Sequence, residues 1–228
     1  MEERINLETY FKRQIELWGI EKQIELSKKS ILIVGAGGLG SSLAFALGSI
    51  GIGKISIIDF DEVAIHNIHR QIAFKLEDNK KFKADVVKSM IKSRSEFTDV
   101  ETFIENFQDF SKREHKKFDL IFDATDNLKT RVEIDQYAKN RDINWIYGSV
   151  ESFYGQVCFF DKSSFQTFKN SDIKPKGVST PIVMQIASFQ ANLGLKYLLG
   201  DEVKKDTLYL LSFDKNGVFQ AKNFGMPT

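Results

Sequence analysis

Short apolar segments alternate with stretches of helical periodicity along the first two thirds of the chain. The apolar segments, most of them continuous, lie at 31–34, 55–60, 100–104, 119–124 and 143–147. Helical patterns lie between them at 38–50, 83–94 and 127–140. Continuous apolar strands that alternate with helices are typical of a parallel sheet buried on both faces. The pattern therefore predicts an α/β fold with a Rossmann-like, mostly parallel sheet and helices on both faces.

The pattern changes in the last third of the chain. Residues 150–161 (VESFYGQVCFFD) alternate and are rich in aromatic side chains, which favours antiparallel strands. A helix is predicted at 181–199, with Thr180 as its cap, Pro181 in its first turn and Gly200 at its end. The dipeptide Asn216-Gly217 between apolar runs predicts a hairpin. We therefore expect antiparallel strands to extend the sheet.

These patterns predict one domain, because no linker or repeat interrupts the 228 residues. Its expected parts are an N-terminal arm (1–30), a core (31–149) in which the glycine-rich GAGGLG after the first strand indicates nucleotide binding, and a mixed or antiparallel extension with a late helix (150–228).

Composition narrows the possible environments and partners. The formal net charge is +1, from 32 basic and 31 acidic residues, so a nucleic-acid partner is not favoured. The apolar runs are too short for a membrane helix, and the first residues show no signal-peptide pattern. Cys158 is the single cysteine, which excludes an internal disulfide and a multi-cysteine zinc site. A cytoplasmic protein without zinc is expected, with Cys158 as a small buried residue.

A glycine-rich turn follows the first predicted strand. Gly35, Gly37 and Gly40 of GAGGLG match the pattern G-x-G-x-x-G, with Gly38 where the helix should begin. Such glycines let the backbone approach a phosphate, which the free N–H groups at the helix start can bind. Asp59, at the end of the second strand, is suitably placed to bind ribose hydroxyls. The motif predicts nucleotide binding but does not choose between NAD and ATP.

Charged residues after the later strands favour ATP with magnesium. Asp61 follows Asp59, and Asp126 follows the fourth strand. The carboxyl ends of parallel strands share one edge of the sheet, so these carboxylates should converge there. Arg70 and Lys83 could bring positive charge to the same place. Carboxylates beside cations suit Mg²⁺ and a polyphosphate better than a nicotinamide.

The ordered motifs YFKRQIELWG, GAGGLGSS, DFDEVAIHNIHRQ and DATDN, together with Lys83, give the chain a family resemblance. It resembles the ThiF/MoeB/HesA group of ubiquitin-activating-enzyme-like adenylyltransferases, and most of all the ThiF-type members of the thiamine pathway. The similarity is strong over the arm and core, and looser over the late helix.

The resemblance implies a role for each matching residue. Asp59 would bind the ribose, and Asp126 would hold Mg²⁺. Arg13 would reach a phosphate in the neighbouring subunit of a homodimer. Phosphate contacts are implied for Asn67, Arg70 and Lys83, and further nucleotide contacts for Gly35, Gly37, Gly38, Gly40, Asp61 and Asn127.

The implied reaction is ATP-dependent adenylation of the C-terminal Gly-Gly carboxylate of a small ubiquitin-fold sulfur carrier, with release of pyrophosphate. The carrier would serve thiamine synthesis (ThiS-like) or molybdopterin synthesis (MoaD-like), and the sequence does not decide between them. Three alternatives stay open: another substrate within the family, such as a modified tRNA base or a peptide; an NAD-dependent oxidoreductase; or a non-catalytic partner subunit.

The chain departs from the family pattern in three places. It lacks the two CxxC pairs that bind zinc in many members. The loop before the late helix, NSDIKPKGVSTP, lacks the cysteine that thiamine-pathway members often carry. Covalent sulfur chemistry is therefore not expected there, whereas adenylation needs no cysteine. Lys80 occupies the approximate place of a usual glycine.

Overall fold

One sheet runs through the computed structural model, which describes residues 5–168 and 177–228. Within those ranges the strands are β1 (Ser30–Val34), β2 (Lys54–Ile58), β3 (Asp99–Phe103), β4 (Leu120–Asp123), β5 (Trp145–Glu151), β6 (Tyr154–Phe160), β7 (Thr207–Phe213) and β8 (Phe219–Gly225). Their order across the sheet is β3-β2-β1-β4-β5-β6-β7-β8. Neighbours from β3 to β5 pair in parallel, and those from β5 to β8 pair antiparallel. The expected α/β fold with an antiparallel extension is confirmed.

Helices cover both faces of the sheet. They are α1 (Leu7–Tyr10), α2 (Lys12–Leu26), α3 (Gly38–Leu47), α4 (Lys83–Lys92), α5 (Phe107–Ser111), α6 (Leu128–Arg141) and α7 (Thr180–Leu198). One buried cluster joins the sheet to α3, α4 and α7 through Leu43, Val87 and Ile186. A second joins the opposite face to α5 and α6 through Phe107 and Ile134. The continuous apolar strands are thus buried on both sides, as their pattern predicts.

Two boundaries in the C-terminal half differ from the prediction. The fifth strand begins at Trp145 and continues to Glu151, so Val150 belongs to it and pairs there with Gly155 of β6. The strand is parallel to β4 at its start and pairs with β6 along its whole length, which extends it beyond the apolar run. The β7–β8 hairpin is confirmed, with Gly217 at φ +77° in its turn.

The N-terminal segment, described from the sequence only as an arm, forms the helices α1 and α2. Phe11 is buried against Gly51, where a Cβ atom would lie 2.9 Å from its ring. The amides of Gln14 and Gln23 both donate to the carbonyl oxygen of Ile50, at 2.9 Å each. These contacts fix α2 at the C-terminal end of α3. The sequence-based description as an arm missed them because they involve residues far apart in the chain.

Candidate nucleotide site

Three loops meet at the carboxyl edge of the parallel strands. β1 lies between β2 and β4, with Val34 in register with both Ile58 and Asp123. The amide of Gly35 donates to the carbonyl of Ile58 at 2.8 Å, and that of Ala124 donates to the carbonyl of Val34 at 2.8 Å. The chain order reverses between β1 and β4, which is where open α/β sheets bind ligands.

The glycines of the turn after β1 have two different roles. Gly35 has φ +95°, and a Cβ atom there would lie 2.7 Å from the carbonyl oxygen of Ala124. A Cβ atom at Gly40 would lie 1.9 Å from the carbonyl oxygen of Gly35. At Gly37 the nearest atom to a Cβ would be the Gln71 amide nitrogen, at 3.4 Å. The fold therefore requires Gly35 and Gly40, whereas Gly37 leaves room beside the turn.

The start of α3 lies at this turn. Gly37 occupies the N-cap position, which has no side-chain cap, and Gly38 is the first helical residue as predicted. The first N–H groups of a helix have no partner within it, and the helix dipole favours an anion there. A Cβ atom at Gly38 would lie 3.0 Å from Val183 of α7, so this glycine also allows the two helices to pack closely.

Asp59 ties the second loop to the glycine turn. Its carboxylate accepts hydrogen bonds from the amides of Ala36, at 2.6 Å, and Asp61, at 2.8 Å. Burial raises the pKa of Asp59, although these two hydrogen bonds and the charge of Lys83 oppose the increase. Asp59, the residue predicted to bind the ribose, therefore lies beside the turn and also holds it in place.

Asp61 and Lys83 form an ion pair with 2.7 Å between Oδ2 and Nζ. The side chain of Lys83 is 8% exposed, and that of Asp61 is 52% exposed. Lys83 is the first residue of α4. The structure thus brings the predicted phosphate-binding lysine to the β2 loop, although its ammonium contacts a carboxylate of the protein.

The segment after Asp61 contains two more predicted residues, Asn67 and Arg70. Asn67 is buried at the end of a 3₁₀ turn, and its Oδ1 accepts from the amide of Ala64 at 3.3 Å. Arg70 donates to the carbonyl of His66 at 3.0 Å and contacts the ring of His69 at 3.1 Å. The carbonyl oxygen of Arg70 lies 3.7 Å from the position of a Cβ at Gly38. The backbone of Arg70 therefore borders the start of α3.

The third loop carries Asp126 and Asn127. Asp126 is exposed, and no hydrogen bond or ion pair to its carboxylate occurs among residues 5–168 and 177–228. Asn127 instead caps α6, accepting from the amides of Lys129 at 2.9 Å and Thr130 at 3.3 Å. The predicted metal ligand is thus free to meet a cation, whereas the Asn127 side chain serves the fold.

Buried polar residues support this third loop. Arg131 Nε donates to Asp123 Oδ2 at 3.1 Å, and one guanidinium nitrogen donates to the carbonyl of Thr125. Thr125 donates to Asp123 Oδ1 through its hydroxyl, at 2.6 Å, and its amide, at 2.9 Å. Burial raises the pKa of Asp123, and the charge of Arg131 opposes the increase. Gln190 of α7 donates to the carbonyl of Asp123 at 2.9 Å. Together they fix the residue before Asp126.

Arg13 lies apart from these loops. It is in the first turn of α2, 91% exposed and 2.9 Å from Glu16. The contacts of α2 place it near the C-terminal end of α3, whereas the glycine turn is at the N-terminal end. The ten residues of α3 span about 15 Å between these two ends of the helix. The structure does not bring Arg13 to the site of its own chain.

Sequence reasoning assigned no role to three site-forming residues: Gln71, Arg131 and Gln190. Gln71 is 5% exposed, and its Oε1 has no hydrogen-bond partner in the described chain although it is buried beside Gly37. Its place directly after Arg70 was the available signal. Gln190 gave none, because its partner on β4 is far away in sequence, and Arg131, on the helix that follows β4, shows no pattern that separates a buried arginine from a solvated one.

Two other predictions concern the late helix and the cysteine. Ser179, not Thr180, occupies the N-cap of α7; the hydroxyl of Thr180 donates instead to the carbonyl of His69 at 2.9 Å. That bond ties α7 to the Arg70 segment. Cys158 is fully buried in β6, as predicted, and burial raises the pKa of its thiol. The predicted loop NSDIKPKGVSTP falls largely on 169–176, outside the described residues.

The match to known proteins covers nearly the whole chain. The ThiF family model matches residues 11–225. The chain belongs to the ThiF family. A probable molybdopterin-synthase adenylyltransferase of Porphyra purpurea is 34% identical over 200 residues, 82% of this chain and 52% of that protein. An adenylyltransferase and sulfurtransferase MOCS3 of Caenorhabditis briggsae is 30% identical, over 78% of this chain and 47% of that protein. This ThiF-family chain thus spans about half the length of these relatives.

Solved structures share its fold. The E. coli protein MccB, in a crystal structure with ATP, gives a TM-score of 0.84 at 18% identity, over 98% of this chain and 73% of MccB. PaaA gives a TM-score of 0.82 at 23% identity, over 99% of this chain and 77% of PaaA. No helix in the described part of the chain is long and apolar enough to cross a membrane.

Proposed function

We propose that this chain catalyses ATP-dependent adenylation of the C-terminal Gly-Gly carboxylate of a small ubiquitin-fold sulfur carrier. The observation that carries this proposal is the glycine turn at the start of α3, which has no side-chain cap in the described chain and lies at the same edge as the exposed carboxylate of Asp126. A relative from Thermus thermophilus, 31% identical over 62% of this chain, is named a sulfur carrier protein adenylyltransferase. Whether the carrier is ThiS-like or MoaD-like is part of the test.

The residues present fit a magnesium nucleotide. Magnesium is commonly held by one or two carboxylates together with substrate phosphates. Asp126 supplies one free carboxylate, and the described residues contain no cluster of three acidic, histidine or cysteine side chains that would form a complete protein cage. Bound there, Mg²⁺ would neutralise charge that develops on the phosphates.

The residues around the turn bind and orient the nucleotide in this proposal. Asp59 binds the ribose, and the backbone at Gly37 and Gly38 lies along the phosphates. Arg70 and Lys83 add positive charge, and Asn67 offers its amide nitrogen because its oxygen is already used by Ala64. These groups position the reactants and offset charge, which are the main contributions in phosphoryl chemistry.

The reaction needs no side-chain nucleophile. The carrier carboxylate is ionised at neutral pH. One of its oxygens attacks the α-phosphorus of ATP and forms an acyl phosphate bond. The bond from that phosphorus to the bridging oxygen breaks, and its electron pair leaves with pyrophosphate. The products are an acyl adenylate and pyrophosphate.

The proposed homodimer gives Arg13 a role. Because Arg13 is exposed and distant from its own chain's turn, it can meet a phosphate only in a neighbouring copy. Loss of activity in Arg13→Ala, restored when this variant is mixed with a site-defective variant such as Asp126→Asn, would support the exchange of residues between subunits. No restoration in the mixture would contradict it.

Pyrophosphate exchange into ATP tests the function. The assay supplies a ThiS-like or a MoaD-like carrier ending in Gly-Gly, and the same carriers without the last two glycines. We expect exchange only with an intact carrier. Exchange that needs no Gly-Gly end would favour a peptide or modified tRNA base as substrate. NAD binding without ATP binding would favour an oxidoreductase.

A further inference from the structure

We propose that Asp61 is a positioning residue for Lys83, not a ligand of the nucleotide. The proposal rests on the proposed use of ATP at this site. Asp61 Oδ2 lies 2.7 Å from Lys83 Nζ, and the ammonium is buried. A bare carboxylate in contact with polyphosphate would repel it, whereas one neutralised by an ammonium at this distance would not. The geometry therefore assigns Asp61 to the lysine.

The backbone places the two residues opposite each other. Glu62 and Phe82 form an antiparallel bridge, and the amide of Lys83 donates to the carbonyl of Asp61 at 2.9 Å. On the other side of the bridge, the amide of Val63 donates to the carbonyl of Lys81 at 2.8 Å. Directly opposed residues in antiparallel pairs have side chains close together. The ion pair is thus built into the local fold.

Lys80 provides the turn that leads into this bridge. It has φ +69°, the left-handed conformation that glycine adopts most easily, and its amide donates to the carbonyl of Val63 at 2.8 Å. This conformation explains why the ThiF-type pattern usually places a glycine here. The turn sets the register in which Lys83 faces Asp61.

Asp61 also connects Lys83 to the glycine turn, through Asp59. The amide of Asp61 donates to Asp59 Oδ1, and Asp59 Oδ2 accepts from the amide of Ala36 within the turn. A lysine side chain is a point charge on a flexible stem, so its tip needs an external partner to hold one position. These contacts fix the ammonium relative to the turn where phosphates are proposed to bind.

A double-mutant cycle on ATP affinity tests the assignment. Asp61→Asn, Lys83→Met and the double variant are compared by calorimetric titration with ATP and Mg²⁺, without a carrier. We expect each single change to weaken ATP binding about tenfold, within the range for contacting residues. The double variant should bind ATP as weakly as Lys83→Met and no more weakly. Additive losses would overturn the proposal, because Asp61 would then act on the nucleotide itself.

Controls separate positioning from folding. Glu62→Gln removes a neighbouring exposed charge and should leave ATP affinity unchanged. If Asp61→Asn does not fold, Asp61→Glu takes its place in the cycle; it should weaken ATP binding only when Lys83 is present, and an equal loss in the Lys83→Met background would overturn the proposal. Absence of ATP binding by the unchanged chain would overturn the proposed function and this inference together, whereas ATP binding with additive losses would overturn only the inference.

Discussion

The two edges of the sheet use aspartate in opposite ways. At the amino edge of the parallel strands, the Asp206 carboxylate accepts from the amides of Asp161, Lys162 and Ser163 and from the Ser163 hydroxyl. At the carboxyl edge, the Asp126 carboxylate meets no donor within the described residues. A carboxylate has room for about four hydrogen bonds. Asp206 uses its acceptor positions for hydrogen bonds within the fold, whereas those of Asp126 remain available to a ligand.

The carboxyl edge itself contains both kinds of aspartate. Asp59 and Asp123 are held by protein donors, and Asp126 is not. Residue type and position at a strand end therefore do not identify a carboxylate that is free to bind a metal ion. The state of its hydrogen bonds does, and this distinction can be tested by removing one charge at a time.

The largest expected effect comes from Asp123→Asn. It leaves the buried Arg131 guanidinium without its counter-charge, which costs about 3–5 kcal/mol when one partner of a buried pair is removed. Urea unfolding should show this loss. Glu25→Gln, which breaks the exposed pair with Lys28, should leave the unfolding curve unchanged. A similarly small effect for Asp123→Asn would show that this residue does not hold the loop.

Asp126→Asn should act on the reaction alone. Loss of its charge is expected to slow pyrophosphate exchange about 10²-fold, equivalent to about 2.7 kcal/mol. The urea unfolding midpoint should not change, since the carboxylate has no partner in the described fold. Asp99→Asn is the matched control, because this exposed aspartate is the first residue of β3 and lies at the amino edge of the sheet. It should preserve exchange. Unchanged exchange in Asp126→Asn would remove it from the proposed metal site.

Asp206→Asn should lower stability in a pH-dependent way. Burial opposes ionisation, but the hydrogen bonds from Ser163 and the three amides outweigh it and lower the pKa of Asp206. The stabilisation is therefore complete above the unfolded pKa of about 3.9 and lost as pH falls through the lower folded value. We expect a loss of about 1–2 kcal/mol at pH 7, because the group is partly exposed.

Urea unfolding at pH 7 and near pH 3 checks this sign. The difference between Asp206→Asn and the unchanged chain should shrink at the lower pH, while pyrophosphate exchange at pH 7 stays the same. A difference that grows on acidification would contradict the account of the amino edge.

The sequence alone predicts most of the fold and part of the site. The apolar runs and the glycine turn place β1, β2 and β4, because strand periodicity and turn chemistry are local properties. The partners of Asp61 and Gln190 were beyond prediction, since they depend on which segments the sheet order brings together, whereas the Asn127 cap is a local contact within α6. Lys80 is a case between the two: its departure from a glycine pattern is visible in the sequence, but its positive φ is not.

The most direct test of the account is the ligand preference of the glycine turn. Gly37→Val adds a side chain where the fold has room and the proposed phosphates would lie. Calorimetric titrations with ATP and with NAD, on the unchanged chain and the variant, should show ATP binding only to the unchanged chain. NAD should bind neither, and the variant should keep a cooperative melting transition, which shows that it is folded. ATP affinity that survives Gly37→Val, or NAD binding to the unchanged chain, would contradict the proposed ATP site.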